Sequence, residues 1–215
     1  MTQNNLAVGG DPIEHSRSPL LHAAAYRELG LDWHYGRQQV DAEGFDTALA
    51  ELDASWRGLS LTMPLKERAF AAAASRDRHA TLTGAVNTLH FAVDGLRGYN
   101  TDVGGLGRAL RRQGIEEVDT ARIVGAGATA ASALVTLVDL GARRIEVSAR
   151  NPSKASALVD LGAALQVLVV PSALDAGALA SVDVTIGTLP GGTRLAAPVA
   201  DALATAGGAL LDVAY

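Results

Sequence analysis

Short apolar runs alternate with alanine- and leucine-rich stretches of helical period along the whole chain, which is the pattern of α/β architecture. LAVGG, HYGRQQV and WRGLSLTM predict strands. Between them PLLHAAAYRELG predicts a helix that opens on a proline and stops at Gly30, and GFDTALAELD a second. LKERAFAAAAS predicts a third helix, and AVNTLHFAVDGLRGYN a hairpin turning at Asp94-Gly95. These elements make one α/β unit over residues 1–101.

Beyond Asn100-Thr101-Asp102, VGGLGRALRRQG predicts a connecting helix. ARIVGAGATAASALVTLVDLGARRIEVSAR then has the order strand, glycine turn, long helix, strand. A helix at SKASALVDLG, strands at LQVLVV, VDVTIGTLP and GALLDVAY, and a helix around APVADALATAG complete a second unit over 102–215. Its strand–helix alternation predicts a Rossmann-type parallel sheet. No internal repeat or low-complexity linker interrupts the chain.

Composition narrows the function classes. The chain has 215 residues, 48% of them hydrophobic, enough for one large core or two small ones. A net charge of −5 without a basic block argues against a nucleic-acid partner, and no apolar run approaches a membrane span. Absence of cysteine excludes disulfides, thiolate metal sites and cysteine nucleophiles. The polar start MTQNNLAVGG lacks the charged and apolar regions of a signal peptide, which points to the cytoplasm. His15, His22, His34, His79 and His90 form no metal-ligand spacing with carboxylates, so no metal is expected. Small-molecule chemistry remains.

VGAGATA places Gly125, Gly127 and Ala130 in a G-x-G-x-x-A pattern between an apolar strand and a helix. In a dinucleotide site the first glycine makes the tight turn, the second lets the backbone approach a pyrophosphate, and the small third residue packs helix on strand. The helix N-terminus then receives the anion. An ordinary βα turn in an alanine-rich chain is the other reading, and the complete βαβ context favours the nucleotide.

The end of the next strand bears on cofactor choice. An NAD site wants an acid there for the ribose hydroxyls, yet IEVSARNPSK ends in Arg150, Asn151, Ser153 and Lys154, with Glu146 too early to serve. Cations and hydroxyls suit a 2′-phosphate. NADP is therefore expected, with Arg150 stacking on adenine or pairing with the phosphate and Asn151 and Ser153 as secondary donors. A solvated turn with a basic helix start is the alternative.

Of 18 basic residues 16 are arginine, and only Lys66 and Lys154 are lysine. Arginine stays charged, whereas a lysine ammonium gives up its proton more readily when buried. Lys66 in LTMPLKE is thus either a solvated lysine in the first turn of a helix or a proton-transfer group.

GDPIEHSRSPLLH, LTMPLKE, GAVNTL, GYNTD, GAGATA, SARNPSKA and LLDVAY occur in an order and spacing that resemble the shikimate dehydrogenase family over nearly the whole chain. The resemblance implies a substrate-binding and catalytic domain at 1–101, an NADP-binding domain at 102–215, and NADPH-dependent reversible reduction of 3-dehydroshikimate to shikimate. It implies that Ser16 and Ser18 donate hydroxyls to the substrate carboxylate. Two hydroxyls two residues apart would face one side if that segment is extended; an N-cap serine ahead of Pro19 is the local alternative. By the same resemblance Thr62, Asn87 and Asp102 hydrogen-bond ring hydroxyls, Lys66 is the catalytic lysine with Asp102 beside it, and Tyr215 lies on the substrate side. Gly125, Ala126, Gly127, Ala128 and Ala130 would line the pyrophosphate, and Thr188 and Pro190 would lie near the nicotinamide. A monomer or homodimer is expected.

Three positions depart from the family pattern. Ala128 stands where another glycine is usual, and Ala149 where an asparagine often precedes the arginine. The chain also stops at Tyr215 after an apolar strand, so a C-terminally truncated form is expected. A relative preferring NAD and accepting quinate, or a catalytically idle nucleotide-binding relative, are the alternatives.

Overall fold

The computed structural model describes residues 4–175, 177 and 179–214. It divides into two units, Met1–Thr101 and Asp102–Tyr215. The first is built on a six-stranded sheet of β1 (Asn4–Gly10), β2 (Trp33–Gln39), β3 (Trp56–Leu61), β4 (Ser75–Arg76), β5 (Thr88–Ala92) and β6 (Gly95–Tyr99), in the order β2-β1-β3-β5-β6-β4. β1 runs parallel to both β2 and β3, while β5 and β6 join as an antiparallel hairpin.

Its helices are α1 (Ser18–Glu28), α2 (Phe45–Ala50), α3 (Lys66–Ala72) and α4 (Arg78–Thr83). Alternation along β1 sends Ala7 to one side, into a core with Phe45, Leu59, Leu61, Leu65, Ala69 and Leu89. Val8 goes to the other, with Ile13, Tyr26 and Tyr35. His22 of α1 stacks on Tyr35 with ring centroids 3.9 Å apart.

The first unit departs from its sequence pattern in two places. The hairpin loop falls on Val93 and Asp94, and Gly95 already pairs with Ala92 as the first residue of β6. The short β4 and α4 were not expected, because two residues of strand and six of helix leave too little periodicity to see.

α5 (Thr101–Arg112) spans the division. The second unit is a wholly parallel sheet of β7 (Thr120–Val124), β8 (Arg144–Ala149), β9 (Leu168–Ala173), β10 (Val184–Gly187) and β11 (Ala209–Asp212), in the order β11-β10-β7-β8-β9. α6 (Ala128–Asp139), α7 (Ser156–Ala164) and α8 (Ala197–Thr205) connect the strands, with one turn of 3₁₀ helix over Pro152–Ala155. Ala121, Ile123, Ile145, Val147, Val184 and Ile186 share a core with Leu106 and Leu110 of α5, Leu134 and Leu137 of α6 and Leu158 of α7.

β9 lies three residues later than LQVLVV predicts and contains Pro171. It is an edge strand, where a missing N–H costs the ladder least. The order reverses at β7, flanked by β10 and β8, so its carboxyl end is the switch point at which open α/β sheets bind ligands. Among the described residues no helix is long and apolar enough to cross a membrane.

Candidate functional site

In the first unit three residues expected to act together, Thr62, Lys66 and Asn87, meet where β3 ends and β5 begins. Thr62 directly follows β3, and its N–H donates to the Gly9 carbonyl at 3.0 Å. Leu65 N–H closes back on the Thr62 carbonyl at 2.8 Å, which starts α3 with Lys66 as its first residue. Lys66 is half-buried, and its carbonyl accepts from Val86 N at 2.9 Å. The next residue is Asn87, whose carbonyl accepts from Leu61 N at 2.7 Å. Backbone ladders thus bring Thr62, Lys66 and Asn87 together.

Ser16 and Ser18 lie on the loop that follows β1, but that loop is not extended. Arg17 is helical at φ −91° and ψ −3°, and Ser18 is the first residue of α1. The Ser16 hydroxyl accepts from Ser18 N at 3.3 Å, while Arg17 is the N-cap of α1 and makes no side-chain cap hydrogen bond, so the segment forms neither two parallel hydroxyls on an extended strand nor an N-cap serine. Ser16 is 4% exposed and Ser18 half-buried. The Ser16 carbonyl takes both Nε and Nη2 of Arg37 from β2, at 3.2 and 2.5 Å. Sequence reasoning missed Arg37, since nothing local ties β2 to a loop 21 residues earlier.

Asn87 is 9% exposed and held by residues that were not singled out. Its Oδ1 accepts from Thr88 Oγ1 at 2.9 Å and from Thr101 N at 3.1 Å, and its Nδ2 lies 3.0 Å from Thr101 Oγ1. Asp102 opens the second unit in the first turn of α5, where a carboxylate suits the positive helix end. Tyr215 lies outside the described residues.

In the second unit the glycine turn has the geometry a dinucleotide requires. Gly125 has φ +118°, and a Cβ there would stand 2.5 Å from Thr188 Oγ1. Thr188 itself is fixed on β7, its N–H and hydroxyl donating to the Val124 carbonyl at 2.8 and 3.0 Å. Gly127 caps α6 in an extended conformation, and a Cβ there would meet nothing within 4 Å. That is open space above a helix N-terminus. Ala126 packs on the core, Ala128 is the first residue of α6, and Ala130 is wholly buried against it. Pro190 follows Thr188 on an exposed loop.

At the end of β8 Arg150 is exposed, as are Asn151, Ser153 and Lys154. Asn151 Oδ1 accepts from Ser153 N at 3.1 Å and Ser153 Oγ at 2.7 Å, so the Ser153 hydroxyl proton is engaged locally, which weakens the expectation of it as a ligand donor. Glu146 is turned away on the sheet face. Its Oε2 accepts from Arg122 Nη2 at 2.9 Å and its Oε1 from Ser172 Oγ at 2.7 Å. Burial pushes this carboxyl up, but Ser172, Arg122 and Ser148 together hold it below the usual glutamate range. It is a structural anion, and no acid occupies the ribose position. The residues present fit a 2′-phosphorylated dinucleotide.

Residues 8–89 match the family model described as the shikimate dehydrogenase substrate binding domain. The solved shikimate dehydrogenase of Mycobacterium tuberculosis is 35% identical, with a TM-score of 0.82 over 97% of this chain and 87% of that one. The chain belongs to the shikimate dehydrogenase family. A shikimate 5-dehydrogenase from Thermus thermophilus, solved in complex with NADP(H) and shikimate, is 30% identical with a TM-score of 0.75 over 86% of this chain and 68% of that one. Among curated members of the family, the shikimate dehydrogenase (NADP(+)) of Methanothermobacter thermautotrophicus is 38% identical over 71% of this chain and 54% of its own length. That of Methylibium petroleiphilum is 37% identical over 77% of this chain and 60% of its own. The chain thus spans a little over half the length of these curated shikimate dehydrogenases.

Proposed function

We propose that the chain is an NADP-dependent shikimate dehydrogenase, reducing 3-dehydroshikimate reversibly to shikimate, with its substrate domain at 1–101 and its nucleotide domain at 102–215. The observation that carries this reading is the backbone ladder that brings Thr62, Lys66 and Asn87 together where β3 ends and β5 begins, with Ser16 and Ser18 on the segment that follows β1 in the same unit. Curated relatives named shikimate dehydrogenase (NADP(+)) and a solved neighbour holding NADP(H) and shikimate support it.

Reducing a ketone requires a hydride on carbon and a proton on oxygen. Bound NADPH supplies the hydride. Lys66 supplies the proton to the developing alkoxide and takes it back in the oxidation, a step open to an ammonium and closed to a guanidinium. Asp102 takes a ring hydroxyl of the substrate. Thr62 and Asn87 bind the remaining hydroxyls, while Ser16 and Ser18 offer neutral hydroxyls to the carboxylate.

Gly125, Ala126, Gly127, Ala128 and Ala130 hold the pyrophosphate at the N-terminus of α6, Arg150 with Asn151 and Lys154 the 2′-phosphate, and Thr188 the nicotinamide side. The protein works in the cytoplasm as a monomer or homodimer, with neither nucleic acid nor membrane as partner. Steady-state assays of this chain with shikimate and 3-dehydroshikimate, each with NADP(H) and NAD(H), test the reading. Turnover preferring NADP(H) is expected. Nucleotide binding without turnover would replace it with an idle nucleotide-binding relative.

A further inference from the structure

Tyr35, Arg37 and Gln39 alternate along β2, so they stand on one face of that strand. All three engage the segment between β1 and α1. Gln39 Nε2 donates to Asp11 Oδ1 at 2.9 Å, where the segment begins. Arg37 donates through Nε and Nη2 to the Ser16 carbonyl, at 3.2 and 2.5 Å. The Tyr35 ring stacks on His22, and His22 Nδ1 lies 2.9 Å from the Ser18 carbonyl. A carbonyl only accepts, so that ring nitrogen carries the proton. The segment is thus tied at Asp11, at Ser16 and, through His22, at Ser18.

The tie at Ser16 differs from the other two in carrying a permanent charge. Two N–H donors of one guanidinium go to a single carbonyl oxygen, although Arg37 is solvent-exposed. A carbonyl oxygen is partially negative and opposes an anion at its own residue. Covering it with a guanidinium reverses that local sign, and the charge acts over several ångströms in a part-solvated site. The segment itself sets the acids Asp11 and Glu14 against one base, Arg17, a balance that Arg37 evens.

We propose that Arg37 is a positioning residue for the anionic group of the substrate: it fixes the Ser16 carbonyl, and its charge favours a carboxylate at the Ser16 and Ser18 hydroxyls. The inference rests on the reading of those two serines as the carboxylate site. Lysine in its place would keep the charge and lose the two-pronged hold on one oxygen, whereas glutamine would lose the charge as well.

The full chain is compared with Arg37→Gln and Arg37→Lys by titration with shikimate and with its uncharged methyl ester, beside hydrogen exchange at the Ser16 and Ser18 N–H groups. These amides report on the segment directly, since Ser16 N donates to the Ile13 carbonyl at 3.0 Å and Ser18 N to Ser16 Oγ at 3.3 Å. In both variants they should exchange about tenfold faster, the loss of one ordinary hydrogen bond. In Arg37→Gln the preference for shikimate over the ester should fall roughly three- to tenfold, the reach of a screened charge. Arg37→Lys should keep that preference within about twofold of wild type, because the charge remains. A merely structural arginine would weaken both ligands alike and leave the preference where it was.

Unchanged Ser16 and Ser18 exchange in folded Arg37→Gln overturns the hold on the segment. An unchanged preference, or one that Arg37→Lys loses as fully as Arg37→Gln, overturns the role of the charge. A wild-type chain that binds neither ligand, or binds both equally, overturns the reading of the serines instead, while exchange still decides the hold. Should Arg37→Gln not fold, exchange in Arg37→Lys decides the hold and salt decides the charge. Wild-type affinity for shikimate must then fall more steeply with added salt than affinity for the ester, and equal dependence refutes the charge.

Discussion

Gly125 and Thr188 are packed so closely that a single methyl on the glycine would stand 2.5 Å from the threonine hydroxyl. Gly127, two residues on, has no atom within 4 Å of the same addition. One chemical change therefore has two different consequences. Gly125→Ala forces a left-handed φ on a residue with a Cβ, which costs about 1–2 kcal/mol before the clash is counted, and should lower Tm by several degrees and abolish nucleotide binding. Gly127→Ala should leave Tm within about two degrees, given a propensity change of under ~1 kcal/mol, yet weaken NADP(H) by tenfold or more by filling the space above α6. Calorimetry beside nucleotide titration checks the pair, and equal Tm losses would show that the turn is not organised by Thr188.

Arg150 is exposed at the end of β8 with no carboxylate at the ribose position. Arg150→Ala should weaken NADP(H) by roughly one to two orders of magnitude, the worth of a charge-assisted hydrogen bond. NAD(H) should change little, because it lacks the 2′-phosphate. Equal losses for the two nucleotides would remove Arg150 from the phosphate site.

Lys66→Ala should lower kcat by roughly 10²- to 10⁴-fold, the usual contribution of a general acid or base, with a much smaller change in shikimate affinity. Lys66→Arg should fail to restore turnover, which separates proton transfer from charge alone. Near-normal kcat in either variant would end the assignment.

The Glu146 carboxyl is pushed up by burial but held low overall by Ser172, Arg122 and Ser148. A group whose folded pKa lies below its unfolded value contributes stability that is complete above the unfolded value, near 4.3 for glutamate, and is lost as pH falls through the folded one. Wild type should therefore lose stability on acidification from about pH 5 downward. Glu146→Gln leaves the buried Arg122 without its counter-charge, so it should be less stable at pH 7 by several kcal/mol, of the order of ~3. Its acid limb should be shallower, so the two curves converge at low pH. A residual slope is expected from Asp183, which the Thr120 and Asp119 backbone N–H groups also hold low. Urea unfolding from pH 3 to 7 measures both, and parallel curves would refute the linkage.

The sequence by itself determined the α/β class, the glycine turn and the elements on either side of it, because hydrophobic period and turn chemistry act over a few neighbouring residues. Gly125 could be assigned to a tight turn from its flanks alone, and it has φ +118°. The family, too, was legible in short motifs whose order survives in one dimension.

Tertiary structure decided what those motifs touch. Arg37 reaches back 21 residues to the Ser16 carbonyl, Thr101 reaches 14 to Asn87, and Arg122 meets Glu146 because β7 and β8 pair in that register. HSRSP looked extended in sequence, yet Arg17 is helical and Ser18 and Pro19 already form the first turn of α1. Strand register and packing set such contacts across long separations. A local pattern carries the residue types but not the distances between them.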